Sequence, residues 1–217
     1  MRLCLVWLLS SAQLAAALPT TPEHEPPAGG AREQQLNNRS SEPALMLSPL
    51  IASGMLDEAL ERSRVVDPST GEPMGEAGFI TTDSERSKHM FYWFFPAQSG
   101  NESAPLIVWL QGGPGGSSLF GLFSEMGPYS LTEQLQPVKR NVTWNKDNAM
   151  LFIDNPVGAG FSFTDVPDGF CGDSKGCVAE NLYSLLSQFY TLHEHLQANP
   201  LYITGESYGG HYVRLSL

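Results

Sequence analysis

The chain has 217 residues, of which 41% are hydrophobic, 10% aromatic and only 16% charged. That composition supports a packed core and excludes wholesale disorder. Twelve Lys and Arg against 23 Asp and Glu give a formal net charge of −11, and without clustered positive charge nucleic acid is excluded as a partner.

Met1-Arg2 is a short basic start, and residues 3–17 (LCLVWLLSSAQLAAA) are apolar and close on small residues. This predicts a secretory signal peptide over residues 1–17. The run is too short to span a bilayer, and no later stretch reaches the ~18 apolar residues that a span needs, so no stable membrane insertion is expected. Residues 18–44 are dominated by Pro, Glu, Gly and Gln and read as a disordered leader. Residues 45–217 read as one domain. Cys4 leaves with the signal. Cys171 and Cys177 remain, and an even pair in an oxidising compartment predicts a short-loop disulfide. Sequons at Asn38, Asn101 and Asn141 are expected glycan sites on surface loops.

Residues 49–64 predict a surface helix with Glu58 and Arg62 four apart. Gly71, Pro73, Gly75 and Gly78 mark turns. Residues 78–82 and 89–95 read as neighbouring strands, the second dense in aromatics, and residues 98–103 as a polar turn. The runs 105–110 and 149–154 read as strands buried on both faces. Residues 178–196 predict an amphipathic helix with Leu182, Leu185, Leu186, Phe189 and Leu192 on one stripe. His193 and His195 sit on this helix and read as surface or interface residues. LYIT (201–204) reads as a third buried strand. Strands alternating with crossovers give an α/β class with a mainly parallel sheet.

The third strand runs into Gly205-Glu206-Ser207-Tyr208-Gly209. G-x-S-x-G after an apolar strand predicts a nucleophile elbow, with Ser207 on a sharp strand-to-helix turn. The strand 105–110 exits into a glycine-rich loop, Gln111 to Ser118. Bare backbone amides there and after the nucleophile make an oxyanion hole, with Gly113 and Tyr208 as donors. A phosphate loop is disfavoured, because no G-K-[ST] follows.

WLQGGPGGSS, FIDNPVGAGFSF and ITGESYGGHYV, in that order, resemble the serine carboxypeptidases, and within them the vitellogenic-carboxypeptidase-like branch. The likeness covers roughly residues 45–213. It implies an α/β-hydrolase fold, release of single residues from peptide or protein C-termini by an acyl-enzyme route at acidic pH, no cofactor and no metal. It also implies lysosomal, endosomal or secreted residence. By the resemblance Ser207 is the nucleophile, and Gly112, Glu125 and Glu206 bind the substrate's terminal carboxylate. Gln111 stands where the family usually has Asn and reaches the same carboxylate from a longer arm. Two neighbouring carboxyls share one proton, and a protonated Glu206 would donate to the substrate carboxylate.

Gly116 replaces a cysteine common in the family, and Arg214 stands where members continue with Pro. In this fold the triad runs Ser, acid, His along the chain. Of the residues after Ser207, His211 is the one histidine, and no Asp or Glu is present. His211, His193, His195, His89 and Asp154 are not assigned to the triad. The chain therefore reads as the N-terminal part of a longer hydrolase, inactive alone, with Ile107, Val108, Leu151, Phe152 and Ile203 short of cover at an open sheet edge. The alternatives are a non-catalytic secreted protein that binds peptides or a partner, and an acyltransferase or esterase on the same scaffold.

Overall fold

The structure, a computed structural model, describes residues 44–172 and 175–215. The predicted signal peptide, all but the last residue of the predicted leader, and Asn38 lie outside the described residues.

Two short helices, α1 (Ser48–Ala52) and α2 (Leu56–Ser63), replace the single predicted helix. Gly54, at φ +73°, breaks them apart. The expected Glu58–Arg62 pair forms on α2 at 3.5 Å. There follow β1 (Arg64–Val66), β2 (Pro73–Asp83), β3 (Lys88–Phe95) and β4 (Leu106–Leu110). Next come β5 (Tyr129–Leu131), β6 (Pro137–Lys139), β7 (Ala149–Ile153) and β8 (Phe163–Thr164). The chain continues with α3 (Lys175–Leu192), β9 (Leu201–Gly205) and α4 (Gly209–Leu215). The main sheet has the order β1-β2-β3-β7-β4-β9, with β8 added beside β3, and β5–β6 form a separate pair. The sheet is mixed. β1, β2, β3 and β7 pair antiparallel in succession, whereas β7, β4 and β9 run parallel and carry the site.

Gly75 and Gly78 are not turn residues. Both lie inside β2, where they admit close neighbours: a Cβ on Gly75 would meet the Phe94 carbonyl at 2.1 Å, and one on Gly78 would meet Leu47 Cδ1 at 2.7 Å.

One face of the sheet is covered by α1, α2 and α3. Leu182, Leu185, Phe189 and Leu192 are buried there, and Phe189 meets Tyr92 and Phe94 edge-on at 5.7 and 5.2 Å. Such aromatic contacts add to the area that burial removes from water. The other face buries Phe95, Trp109, Leu122, Tyr129, Met150 and Phe152. The expected shortage of cover is confined to Ile107 and Ile203, which are half-buried; Val108, Leu151 and Phe152 are fully buried. Among the described residues β9 stands at the sheet edge, with β4 as its one neighbour, and Leu201 and Tyr202 are 39% and 43% exposed, so the strand is not buried on both faces here.

His193 is likewise not on the surface. α3 ends at Leu192, and His193 turns inward, its ring 4.4 Å from that of Phe189 and 4.8 Å from that of Phe94. Its Nε2 lies 3.3 Å from Glu76 Oε2. Burial, helped by His195, lowers His193 to about 4. Burial also pushes Glu76 up to about 7, against the pull of Arg64.

The Cys171–Cys177 disulfide is formed, with Cα atoms 5.5 Å apart. Asn101 and Asn141 are exposed, as glycan attachment requires. No helix among the described residues is long and apolar enough to cross a membrane.

Candidate active site

β9 and β4 pair in register to their ends, Leu110 opposite Gly205, so both chains leave the sheet together. Ser207 follows at φ +53°, a conformation costly for a residue with a side chain. Gly205 and Gly209 flank it at two residues on either side, and both press against the Leu110 carbonyl. A Cβ would come within 2.7 Å of that oxygen from Gly205 and within 2.2 Å from Gly209. The turn is closed by Gly209 N donating to Glu206 O at 2.7 Å and Gly210 N to Ser207 O at 3.1 Å. The elbow read from G-x-S-x-G is thus present, with Ser207 exposed at its tip.

The glycine-rich loop lies against this turn. A Cβ on Gly112 would sit 2.7 Å from Glu206 O, 2.9 Å from Ser207 Cβ and 3.0 Å from Tyr208 N. The next residue, Gly113, is exposed at φ +118°. Gly112, Ser207 and Tyr208 are therefore brought together, with Gly113 beside them. The loop is bound at both ends. Gly116 N donates to Gly112 O at 2.9 Å. Buried Ser118 donates through Oγ to Ile153 O at 2.5 Å and accepts from Gln111 N at 3.1 Å.

Asp154 is an anchor for this loop and for the one after β7. It accepts from Ser117 Oγ at 2.7 Å, Ser118 N at 2.8 Å and Phe161 N at 2.9 Å. Burial raises its proton affinity and the three donors offset this. Sequence reasoning left Asp154 and Ser118 without a role. Their signal, a buried acid and a serine among glycines, is legible only once β4 and β7 are known to be neighbours.

A second cluster lies beside the elbow. Trp109 Nε1 donates to Gln111 Oε1 at 2.9 Å, and Gln111 Nε2 donates to Glu206 Oε2 at 2.8 Å. Glu125 ends the π-helical turn Gly121–Glu125, which packs so close to Trp109 that a Cβ on Gly121 would meet Nε1 at 2.3 Å. Burial, then the facing Glu206, pushes Glu125 up to about 7. The direction of this shift favours the proton on Glu125, while Glu206 Oε2 accepts from the Gln111 amide.

Histidines do not complete this site among the described residues. His211 is exposed on α4 with its ring 4.7 Å from that of Tyr208. His89 lies between Thr81 Oγ1 and Ser87 Oγ, each 3.1 Å away. Ser207 Oγ has no hydrogen-bond partner among the described residues.

Residues 68–215 match the family described as serine carboxypeptidase. The chain is 41% identical over 184 residues to the vitellogenic carboxypeptidase of Aedes aegypti, covering 85% of this chain and 39% of that protein. It is 43% identical over 169 residues to the venom serine carboxypeptidase of Apis mellifera, covering 78% and 36%. The crystal structure of a prohormone-processing carboxypeptidase from Saccharomyces cerevisiae superposes with a TM-score of 0.59 at 26% identity, covering 71% of this chain and 37% of that one. The chain thus spans little more than a third of the length of these relatives. The resemblance read from three motifs is borne out, as is the fold class.

Proposed function

The chain belongs to the serine carboxypeptidase family, and from that premise we propose that it serves the release of C-terminal residues from peptides, with Ser207 as nucleophile. The observation that supports this most is the carboxyl pair beside the elbow. A free peptide C-terminus is an anion, and a site of two ionised glutamates would repel it. With its proton on Glu125 the pair carries one charge fewer and offers a donor, while the Gln111 amide already engages Glu206. Gly112 supplies bare backbone at the same place.

In the proposed reaction the terminal carboxylate docks on Glu125, Glu206, Gln111 and Gly112. Ser207 Oγ attacks the last peptide carbonyl, and the developing oxyanion is met by the amides of Gly113 and Tyr208. The leaving amino acid departs, and water hydrolyses the acyl-enzyme. A base must take the Ser207 proton for the attack to be effective. Acidic pH favours binding, because Glu125 then keeps its proton. Residence in the secretory pathway, in a lysosomal, endosomal or secreted setting, fits the predicted signal peptide, the disulfide and the glycan sites at Asn38, Asn101 and Asn141.

A second reading, capture of peptide C-termini without cleavage, rests on the same carboxyl pair. One experiment tests both. Blocked peptides ending in a free acid are compared with the same peptides ending in an amide, at mildly acidic pH. Release of single residues, lost in Ser207→Ala, supports catalysis. Acid-selective binding without release supports capture. Equal affinity for acid and amide overturns both.

A further inference from the structure

Lys88 opens β3 and is only 3% exposed. Its ammonium reaches the disulfide, with Nζ 3.1 Å from Cys177 Sγ. Asp83 Oδ2 lies 3.4 Å from the same ammonium, and its side chain is 30% exposed. A buried ammonium calls for close anionic partners, and a disulfide sulfur is only a weak, neutral acceptor. Asn181 Nδ2 donates to Cys171 Sγ at 3.2 Å and stands 3.6 Å from Cys177 Sγ. Cys177 is also the third residue of α3, an 18-residue helix, where first-turn amides favour negative charge. An ammonium, an amide and a helix N-terminus thus converge on a sulfur that carries no charge while the bond is intact. They suit a thiolate far better.

We propose that Cys171–Cys177 is a thiol-exchange site and not an inert staple, with Cys177 as the leaving thiolate and Cys171 as the sulfur that takes up a small thiol. The electron pair of the incoming thiolate forms a bond to Cys171 Sγ. The Cys171–Cys177 bond breaks, and its pair leaves on Cys177 Sγ, where Lys88 and Asn181 hold it. A second thiolate then attacks the sulfur of the small thiol. It releases a small-molecule disulfide and leaves both cysteines reduced. Two thiols are oxidised for each protein disulfide reduced. Exchange is faster the more stable the leaving thiolate. Cys171 is itself 8% exposed and Cys177 half-buried, while the neighbours Phe170 and Gly172 are exposed, so the disulfide lies just beneath an exposed stretch of chain. Among the described residues the ammonium of Lys88 from β3 meets Cys177 Sγ, and Asp83 from β2 meets that ammonium.

The test equilibrates the whole glycosylated protein with graded mixtures of reduced and oxidised glutathione, then quenches with acid and locates each thiol by peptide mass spectrometry. Wild type is expected to reduce at a glutathione ratio about 10-fold lower than Lys88→Met, with Lys88→Arg close to wild type and the mixed disulfide on Cys171. Lys88→Met can fail to fold, so the wild type also decides by itself. Once reduced, its Cys177 should alkylate about 10-fold faster than free glutathione near pH 6. Burial alone would only slow that reaction. Three results would each overturn the proposal: a disulfide that survives excess glutathione, glutathione found on Cys177, or Cys177 alkylating no faster than free glutathione.

Discussion

Gln111 Nε2 donates to Glu206 Oε2 at 2.8 Å although the two residues stand 95 positions apart. Gln111 in turn accepts from Trp109 Nε1, so one amide fixes both the tryptophan below and the glutamate beside the elbow. Replacing it by Leu leaves the buried Trp109 Nε1 without its acceptor and takes the amide from the exposed Glu206. Gln111→Leu is expected to cost about 1–3 kcal/mol of stability. Urea denaturation measures that cost. Calorimetry with a peptide acid should show weakened affinity and little change for the matching amide.

Glu125 carries the pH dependence. Burial and the facing Glu206 push Glu125 up to about 7, so the pair gains a negative charge as pH rises through that value. Affinity for a peptide acid should fall as pH rises from 5 through 8, by at most about tenfold per pH unit. Glu125→Gln keeps a donor that cannot ionise and should flatten the profile. A fluorescence titration across this range decides. A wild-type profile as flat as that of the variant would remove the shared proton from the account.

Gly112→Ala tests the contact between loop and elbow. The added methyl has no room beside Glu206 O, Ser207 Cβ and Tyr208 N. Either the loop or the turn must move, at a cost of about 1–3 kcal/mol. The expected result is a lowered denaturation midpoint together with loss of peptide-acid binding. Gly115→Ala is the control at the loop's crest, where a Cβ meets nothing within 4 Å but φ is +89°. It should show strain without loss of the contact.

Glu76 and His193 pull stability in opposite directions. His193 falls to about 4 on folding from its ordinary 6.5, so the unfolded chain binds its proton first. Stability from this residue is present above 6.5 and lost as pH falls to 4. Glu76 rises to about 7 from 4.5, so the folded chain keeps its proton. That contribution is present below 4.5 and lost as pH rises through 7. Relative to wild type, Glu76→Gln should gain melting temperature most on going from pH 5 to pH 8. A constant offset across that range would show that Glu76 titrates alike in both states.

Much of this was written in the residues, and the failures share a cause. The elbow was legible because Ser207 needs glycines two places to either side, a local demand. The α3 stripe was legible because period alone selects its inward face. Burial is a property of neighbours, and LYIT has the apolar look of a central strand although among the described residues it pairs with β4 alone. Gly75 and Gly78 misled because glycine serves a turn and a tight approach equally well, and the approaching atoms, Phe94 O and Leu47 Cδ1, are remote in sequence. His193 misled because the predicted helix, residues 178–196, runs four residues past the end of α3 at Leu192. Which of two glutamates holds a proton depends on the Gln111 amide, and no spacing encodes that.

The contact of Gly205 and Gly209 with one carbonyl of β4 has a consequence for biosynthesis. The reactive turn has no shape of its own; it is cast by the sheet. Until β9 zips onto β4, Ser207 is an ordinary loop hydroxyl with no amides aimed past it. The geometry of the turn thus arises with a tertiary pairing of residues about a hundred positions apart, and before that pairing forms the proposed nucleophile has no defined setting.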